Sequence, residues 1–237
     1  FVALSALSVV ATPLVKRSDP QGVDVSHWQG TIDWNAMAAN GISFSYIKAT
    51  EGTIYSLADS HYSNYRCFSA NYDGAASVGI IRGAYHYAHP DISDGATQAN
   101  FFLGNGGGWS GDGITLPGAI DLEKHFPPDG CYSLSQSDMV SWISDFSNTY
   151  FSTTSRYPVI YTTTSWWIQC TGNSADLSSN NPLWIAEWAS TLGSLPAGWR
   201  FTTFWQYADS GPNPGDQDLF NGDITGLQRY GFTSLCS

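Results

Sequence analysis

The sequence predicts an α/β fold in which a mainly parallel sheet closes into an irregular β/α barrel. Strand-like and helix-like segments alternate from residue 22 onward, and such alternation is typical of parallel strands joined by helical crossovers. After residue 163 little helix remains between the strands, which predicts a barrel that lacks helices on one side. The 237 residues suit one barrel-sized domain, and 42% hydrophobic residues can supply its core.

Short segments rich in β-branched and aromatic residues define the predicted strands. Each is bounded by Gly, Pro or polar residues, which end strands. The predicted strands cover residues 22–28, 44–48, 83–88, 119–124, 158–163, 183–188, 203–208 and 217–220. Because the loops that follow parallel strands gather at one end of a barrel, we expect the functional site at that end.

Apolar residues at steps of three and four predict the helices. They cover residues 34–40, 55–77, 94–103 and 135–150. Gly41 ends the first helix, and Asp94 is a candidate N-cap of the third. The last helix has the clearest pattern, because Ser135 and Asp138 can form a capping pair at its start. Its predicted core face consists of Met139, Trp142, Ile143, Phe146 and Tyr150.

The first 17 residues resemble a targeting segment. Residues 1–15 form an apolar run that is short for a bilayer span, and Lys16-Arg17 and a polar stretch follow it. This order is typical of a signal-peptide hydrophobic region and a dibasic processing site; the alternative is a buried N-terminal strand. We therefore assign residues 1–17 to a signal or pro segment and residues 18–237 to a single barrel domain, and we expect secretion to the extracellular space.

The chain contains four cysteines, none at the spacing of a zinc finger and none in a Cys-x-x-Cys motif. An even number of cysteines in a secreted chain predicts two disulfides, and four cysteines allow three pairings. We favour Cys131–Cys170 and Cys67–Cys236. Each would close a long loop and could stabilise the fold by roughly 3–4 kcal/mol.

The strongest candidate for chemistry is the pair Asp121 and Glu123. Residues i and i+2 of a strand point to the same side, so both acids would face one way while Leu122 packs on the other. Two neighbouring acids repel each other, which raises the pKa of one and suits it to be a general acid. Asp-x-Glu is common by itself, and a solvated turn is the alternative.

Other acids lie near predicted strand ends. Asp24 stands between two valines of the first strand, where an acid opposes strand propensity and needs a partner or a role. Lys48 and Glu51 end the second strand, and an ion pair between them is the simplest reading. Asp218 lies near the C-terminus in Gly215-Asp216-Gln217-Asp218, a pattern that a turn would also explain.

Several functional classes are excluded or disfavoured. A formal net charge of −11 argues against nucleic acid, because phosphate binding needs clustered Lys and Arg. His86 and His89 lie across a strand end, and no His-Glu-x-x-His motif or Asp-rich calcium loop occurs, so we expect no metal site and no cofactor. No Gly-x-Ser-x-Gly elbow occurs, and no segment after residue 17 approaches the length of a membrane span.

Six motifs in order carry a resemblance to a known family. They are Gly-Val-Asp-Val-Ser-His-Trp-Gln at 22–29, Ile-Lys-Ala-Thr-Glu-Gly at 47–52, Ala-Tyr-His-Tyr at 84–87, Ile-Asp-Leu-Glu at 120–123, Trp-Ile-Ala-Glu-Trp at 184–188 and Phe-Trp-Gln-Tyr at 204–207. Together they resemble glycoside hydrolase family 25, the Chalaropsis-type lysozymes, over about residues 20–237. The dibasic site and the acidic character are typical of a fungal member. The resemblance implies an irregular TIM-like β/α barrel of about five β/α units followed by three further strands.

The resemblance also implies hydrolysis of the β-1,4 bond between N-acetylmuramic acid and N-acetylglucosamine. It assigns the general acid to Glu123 and implies an ionised Asp121 that attacks the substrate or orients its 2-acetamido group. It places Asp24 and Asp218 among the catalytic acids, with Asp216 as a rival to Asp218 because the C-terminal motif is compressed. The expected substrate-binding residues are Lys48, Glu51, Tyr85, Tyr161 and Trp205.

The expected partner is bacterial peptidoglycan, met by a monomer without nucleic acid or membrane. Two alternatives remain at this point. The same fold could bind cell-wall glycan as a lectin, although lectins rarely need a buried, repelling pair of acids. A chitinase-like hydrolase is the second alternative, but such enzymes have a longer Asp-rich run before the acid than Pro117-Gly118-Ala119-Ile120-Asp121-Leu122-Glu123 offers.

Overall fold

A computed structural model describes residues 19–53, 55–56, 67–124 and 130–232. The proposed signal or pro segment, residues 1–17, lies outside this range, as does Cys236, so these two predictions and the domain boundary at residue 18 stay predictions. Within the described residues, no helix has the length and apolar character needed to cross a bilayer.

The described elements alternate along the chain. The strands are β1 (Gln21–Val25), β2 (Ile42–Glu51), β3 (Tyr55–Ser56), β4 (Ile81–Tyr87), β5 (Ala119–Asp121), β6 (Val159–Thr162), β7 (Leu183–Ala186), β8 (Phe204–Ala208) and β9 (Asp216–Phe220). The helices are α1 (Trp34–Ala39), α2 (Cys67–Ser77), α3 (Gly95–Gly104), α4 (Gln136–Thr154), α5 (Thr164–Thr171) and α6 (Ile224–Gly231).

Eight strands close into a barrel, in the order β1-β9-β8-β7-β6-β5-β4-β2, and β1 then pairs with β2. The strands from β1 through β2, β4, β5, β6 and β7 to β8 are parallel, whereas β9 is antiparallel to both of its neighbours. Five β/α units are therefore followed by three further strands, which confirms the predicted irregular barrel. The helix-poor second half leaves the side of β7 and β8 without crossover helices.

Strand alternation separates two apolar layers. One face of each strand fills the barrel interior, which is rich in aromatic rings from Phe44, Tyr46, Trp184, Phe204 and Phe220. The other face packs against α1 to α5 in a larger core. Gly22 and Gly83 leave space in the interior, because a Cβ there would lie 2.3 Å from the Phe44 ring and 2.5 Å from the Tyr46 ring.

The helix starts agree with the predicted capping residues. Asp94 accepts a hydrogen bond from the Thr97 backbone N–H at the start of α3. At the start of α4, Ser135 Oγ accepts from the Asp138 backbone N–H and donates to the Asp138 carboxylate. The predicted core face of α4 is confirmed, since all five of its apolar residues are buried.

Three predicted segments differ from the structure. Tyr55–Ser56 is a short strand that pairs antiparallel with the end of β2, so the helix predicted from residue 55 is wrong at these two residues. Residues 57–66 lie outside the described range, and the described part of this helix is Cys67–Ser77. β1 ends at Val25, and a 3₁₀ turn capped by Ser26 follows over His27–Gln29. β5 ends at Asp121, so Glu123 lies beyond the strand. The pattern predicted neither α5, which follows residue 163 directly, nor α6, which contains two glycines.

Candidate active site

The polar residues of the barrel interior lie at the carboxyl ends of the parallel strands. On these parallel strands, each polar residue lies two positions after an inward-facing residue of the deeper layer, which contains the aromatic rings. They are Asp24, Lys48, Tyr85, Asp121, Tyr161 and Gln206, together with Asp216 and Asp218 of the antiparallel β9. A cleft of about 260 Å³ opens over them, and its walls include Asp24, Lys48, Tyr85, Tyr87, Asp121, Glu123, Asp216 and Trp28.

Asp121 and Glu123 face the cleft together, as the sequence predicted. Leu122 between them is buried in the outer core, and its N–H donates to the Tyr161 carbonyl at 3.0 Å, so the backbone follows β6 for one residue beyond β5. Burial raises the pKa of Asp121 well above its ordinary value, and the charge of Glu123 raises it further. Burial likewise raises the pKa of Glu123, against the attraction of Lys48. The buried site therefore opposes ionisation of both acids, and the expectation that Asp121 is ionised during the reaction stays a prediction.

A second group of acids lies on β1 and β9. Asp24 and Asp216 stand directly opposite each other in this antiparallel pair. Burial raises the pKa of Asp24 to about 7, with further repulsion from Asp216. Burial also raises the pKa of Asp216 to about 6, with a contribution from Asp209. Asp216 lines the cleft, whereas Asp218 lies beneath it with 0% exposure. The structure therefore brings both rivals to the site.

Two donors hold this second group in place. The Trp184 indole N–H donates to Asp218 Oδ1 at 2.9 Å. Gln206 Nε2 donates to Asp24 Oδ2 at 2.8 Å and to Asp216 Oδ2 at 3.2 Å. Burial raises the pKa of Asp218 well above its usual range, and the hydrogen bond between the Asp24 and Asp218 carboxyl groups requires a proton on one of them.

Lys48 and Glu51 form the ion pair that the sequence suggested. Lys48 Nζ lies 2.7 Å from Glu51 Oε2, and His89 Nε2 lies 2.9 Å from Glu51 Oε1. Burial opposes ionisation of Glu51, but His89 and Lys48 together lower its pKa to about 2. Lys48 also lies over the Tyr87 ring, 4.6 Å from its centroid, and lines the cleft. Glu51 holds Lys48 through this ion pair but does not itself line the cleft. It is therefore placed to support Lys48 and not to contact a ligand in the cleft.

The three aromatic residues expected to bind substrate lie in different places. Tyr85 lines the cleft, and the Tyr161 hydroxyl donates to Gln206 Oε1 at 3.0 Å beside the acids. Trp205 does not reach the cleft. It lies between two inward-facing residues of β8, so strand alternation turns it outward, where it lines a separate groove and donates to the Glu187 carbonyl at 2.8 Å.

Three residues at or beside the cleft were not predicted from the sequence: Trp28 in its wall, and Gln206 and Trp188 next to its acids. Gln206 follows Trp205 in the same motif, and counting the alternation from the buried Phe204 would have placed it inside. Trp28 lines the cleft with 82% of its side chain exposed, and Trp188 is 61% exposed with its indole N–H donating to Gln206 Oε1 at 3.0 Å. A tryptophan after a strand end was the available signal for both rings.

The predicted disulfide Cys131–Cys170 is confirmed, and it joins the segment after β5 to α5. The partner proposed for Cys67 lies outside the described residues. Within those residues, no group of three His, Cys, Asp or Glu side chains is arranged to hold a metal ion. The exposed aromatic faces of this arrangement can bind a ring, and its buried carboxyl groups can donate or accept a proton.

Comparison with known proteins identifies similar chains. Residues 23–216 match the family described as "Glycosyl hydrolases family 25". The chain is 45% identical to the N,O-diacetylmuramidase of Arthroderma benhamiae over 97% of this chain and 95% of that protein. It is 46% identical to lysozyme M1 of Streptomyces globisporus over 89% of this chain and 70% of that protein. The solved muramidase of Acremonium alcalophilum is 54% identical, with a TM-score of 0.84 over 90% of this chain and 98% of that one.

Proposed function

Because the chain belongs to glycosyl hydrolases family 25, we propose that it is a lysozyme that cuts the glycan of bacterial peptidoglycan. The bond cut is the β-1,4 linkage between N-acetylmuramic acid and N-acetylglucosamine. The observation that carries this proposal is the pair Asp121 and Glu123, two neighbouring carboxyl groups that line an open cleft, where burial raises the pKa of both and one proton can serve the pair. Glycoside hydrolysis commonly uses two such carboxyl groups, one of which protonates the departing oxygen.

Glu123 is the general acid of the proposed mechanism. It is less buried than Asp121, so it reaches further toward a bound sugar. Burial keeps its pKa raised, so Glu123 can hold a proton at the pH where the enzyme works and donate it to the glycosidic oxygen. After the leaving group departs, the ionised Glu123 accepts a proton from the attacking water.

Asp121 acts on the other side of the reacting bond. It orients the 2-acetamido group of the substrate, whose carbonyl oxygen attacks the anomeric carbon and forms a transient ring. Water then opens this ring at the same carbon, so two inversions give net retention of configuration. The charge needed on Asp121 develops as the shared proton passes to the Glu123 side, where it is consumed in protonating the leaving oxygen.

The second acid group and the aromatic rings complete the site. Asp216 and Asp218 lie beside Asp24, which acts in turn on Asp121, and this group of acids favours the positive charge that develops on the sugar ring. Trp28 and Tyr85 offer a ring face and a hydroxyl to the glycan. Lys48, held by Glu51, offers a cation to hydroxyl or carboxylate groups of the substrate.

We place the mature enzyme outside the cell, where peptidoglycan is accessible, and treat it as a monomer. The segment at residues 1–17 supports secretion. The similarity to a protein named N,O-diacetylmuramidase leads us to include glycan with O-acetylated muramic acid among the substrates.

The test compares wild type with Glu123→Gln on purified Gram-positive cell walls, with and without O-acetyl groups. We expect wild type to clear the suspension and release fragments that carry muramic acid at the reducing end, identified by mass spectrometry. Glu123→Gln keeps the shape of the side chain but has no proton to donate, and its rate should fall by about 10²-fold or more. The matched control is Asp176→Asn, which neutralises an exposed carboxylate on the loop between α5 and β7.

Other outcomes would reject the proposal in recognisable ways. Near-normal turnover by Glu123→Gln would remove the assigned general acid. Tight wall binding without cleavage by either protein would make the chain a glycan-binding lectin. Digestion of chitin without digestion of cell walls would make it a chitinase-like hydrolase.

A further inference from the structure

Gln206 forms four side-chain hydrogen bonds within the candidate site, more than any of the site's acids forms. Its Nε2 donates to Asp24 and Asp216 at 2.8 and 3.2 Å. Its Oε1 accepts from the Tyr161 hydroxyl and from the Trp188 indole N–H, both at 3.0 Å. A glutamine amide has two N–H donors and two acceptor lone pairs, so all four are used.

These four partners fix the orientation of the amide. Reversal of the group would direct its carbonyl oxygen at two carboxyl groups and its N–H bonds at two donors, and all four contacts would be lost. With 1% of its surface exposed, the side chain has no access to water that could replace them. Gln206 therefore presents its N–H bonds to Asp24 and Asp216 in one fixed geometry.

The same amide connects the buried acids to an exposed aromatic side chain. Trp188 is 61% exposed, and its only side-chain polar group donates to Gln206. A sugar ring that stacks on the exposed indole would hold that N–H in place. The hydrogen bond from Trp188 would in turn hold the Gln206 amide against Asp24, the next residue in this chain of hydrogen bonds.

We propose that Gln206 is a positioning residue that links glycan binding at Trp188 to the placement of the Asp24 and Asp216 carboxylates, an inference that rests on the proposed glycan hydrolysis. Gln206 touches no reacting atom. It acts through Asp24, which it keeps in place as a hydrogen-bond acceptor, and Trp188 limits how far the amide can move. The link gives a bound sugar chain a direct effect on the acids below it.

The charge environment gives this link a pH signature. The hydrogen bond from Gln206 favours the ionised form of Asp24 and lowers its pKa, against burial and the repulsion of Asp216. The titratable groups that face this region are Asp216 and Asp218 of β9, Lys48 of β2, Tyr85 of β4, Tyr161 of β6, and Asp121 and Glu123 at the end of β5. Loss of the amide removes its hydrogen bonds to Asp24 and Asp216 but leaves burial and the repulsion between these acids in place, so the acid limb of the pH–rate profile should move to higher pH.

The experiment measures kcat, KM and pH profiles on soluble, defined glycan oligomers of alternating N-acetylglucosamine and N-acetylmuramic acid. Gln206→Met keeps the side-chain length without hydrogen bonds, and kcat should fall about ten- to a hundredfold, since bonds to charged groups are lost. Its acid limb should move upward while KM changes little. The matched control is Gln228→Met, at an exposed position of α6.

Two variants at Trp188 test the link even if Gln206→Met folds poorly, because this side chain is mostly exposed. Trp188→Phe keeps an aromatic face but loses the N–H, so we expect a smaller shift of the acid limb in the same direction with KM nearly unchanged. Trp188→Ala loses the face as well, and KM should rise.

The results separate this inference from the proposed function. Wild-type cleavage of the oligomers establishes the activity independently of Gln206. A Gln206→Met protein that loses thermal stability but keeps the wild-type kcat and acid limb would overturn the positioning role. A Trp188→Phe protein with the wild-type kcat and acid limb would overturn the link between Gln206 and Trp188.

Discussion

Asp218 shows how burial decides the charge of a single carboxyl group. The residue is 0% exposed, and Oδ1 accepts from Trp184, but Oδ2 meets no N–H or hydroxyl donor among the described residues. An ionised carboxylate in this position would leave a buried charge without compensation. A proton on Oδ2 that is donated to Asp24 satisfies both groups. The geometry thus favours Asp218 as the hydrogen-bond donor of this pair, and its hydrogen bond to Asp24 lowers the pKa of Asp24 against burial.

This assignment predicts that Asp218 tolerates an amide and Asp24 does not. In Asp218→Asn the new N–H₂ can donate to Asp24 in place of the carboxyl O–H, so we expect wall-clearing activity within about tenfold of wild type. Asp24→Asn removes the anion itself and should cost about a hundredfold or more. Initial rates with both variants decide the matter. Equal losses in the two variants would mean that Asp218 acts as an anion.

At the scale of elements, the segment after β5 determines where Glu123 lies. Glu123 is beyond the last residue of the strand, so strand pairing does not hold it directly. The Tyr132 hydroxyl donates to the Glu123 carbonyl at 3.2 Å and to the Ala88 carbonyl at 3.0 Å. Tyr132 itself has a positive φ of 58°, unusual for an aromatic residue, and the neighbouring Cys131 is bonded to Cys170 of α5.

The disulfide is therefore expected to support activity as well as stability. Its two cysteines are 39 residues apart, and closing such a loop stabilises a fold by roughly 3–4 kcal/mol. We expect the double variant Cys131→Ser/Cys170→Ser to melt at a lower temperature. We also expect it to lose wall-clearing activity at temperatures where it stays folded, because Tyr132 no longer holds Glu123.

The comparison for this experiment is Tyr132→Phe, which keeps the disulfide and the ring but removes the hydroxyl. Circular dichroism gives the melting temperature, and initial rates are taken at least ~10 °C below it. A double variant with full activity while folded would show that the disulfide contributes to stability alone.

The elements also show what the sequence could and could not predict. Alternation within a strand depends on neighbouring residues, so the shared direction of Asp121 and Glu123 was predictable. Alternating strands and helices predicted the irregular barrel, whereas its count of five β/α units came from the family resemblance. Trp205 was expected to contact substrate because it belongs to a motif of the family, but it lies on the outer face of β8. A motif identifies a stretch of chain and does not show which face of the strand each residue occupies. The hairpin at Tyr55 escaped prediction because pairing of Tyr55 with Glu51, at the end of β2, overrides the helical periodicity read from this segment.

At the scale of the whole molecule, the distribution of charge matters more than its sum. The formal net charge is −11, and five carboxyl groups gather at one end of the barrel around Lys48. Lys48 is itself paired with Glu51. The acid group consequently lacks a full set of counter-ions, and the free protein compensates by retaining protons there. Activity on an anionic cell wall should for the same reason improve with added salt or at lower pH.

This proton retention predicts how stability depends on pH. Asp24 and Asp216 have an ordinary pKa of 3.8, raised in the fold to about 7 and about 6. The folded state then binds more protons than the unfolded chain, so their contribution is full below pH 3.8 and is lost as the pH rises through 6 and 7. Glu51 acts oppositely, since its contribution is lost as the pH falls through about 2. We expect the melting temperature to be highest near pH ~4–5 and to decrease toward pH ~8. In Asp24→Asn this decrease should become shallower, whereas a melting temperature that rises steadily from pH ~4 to ~8 in wild type would contradict the raised pKa values.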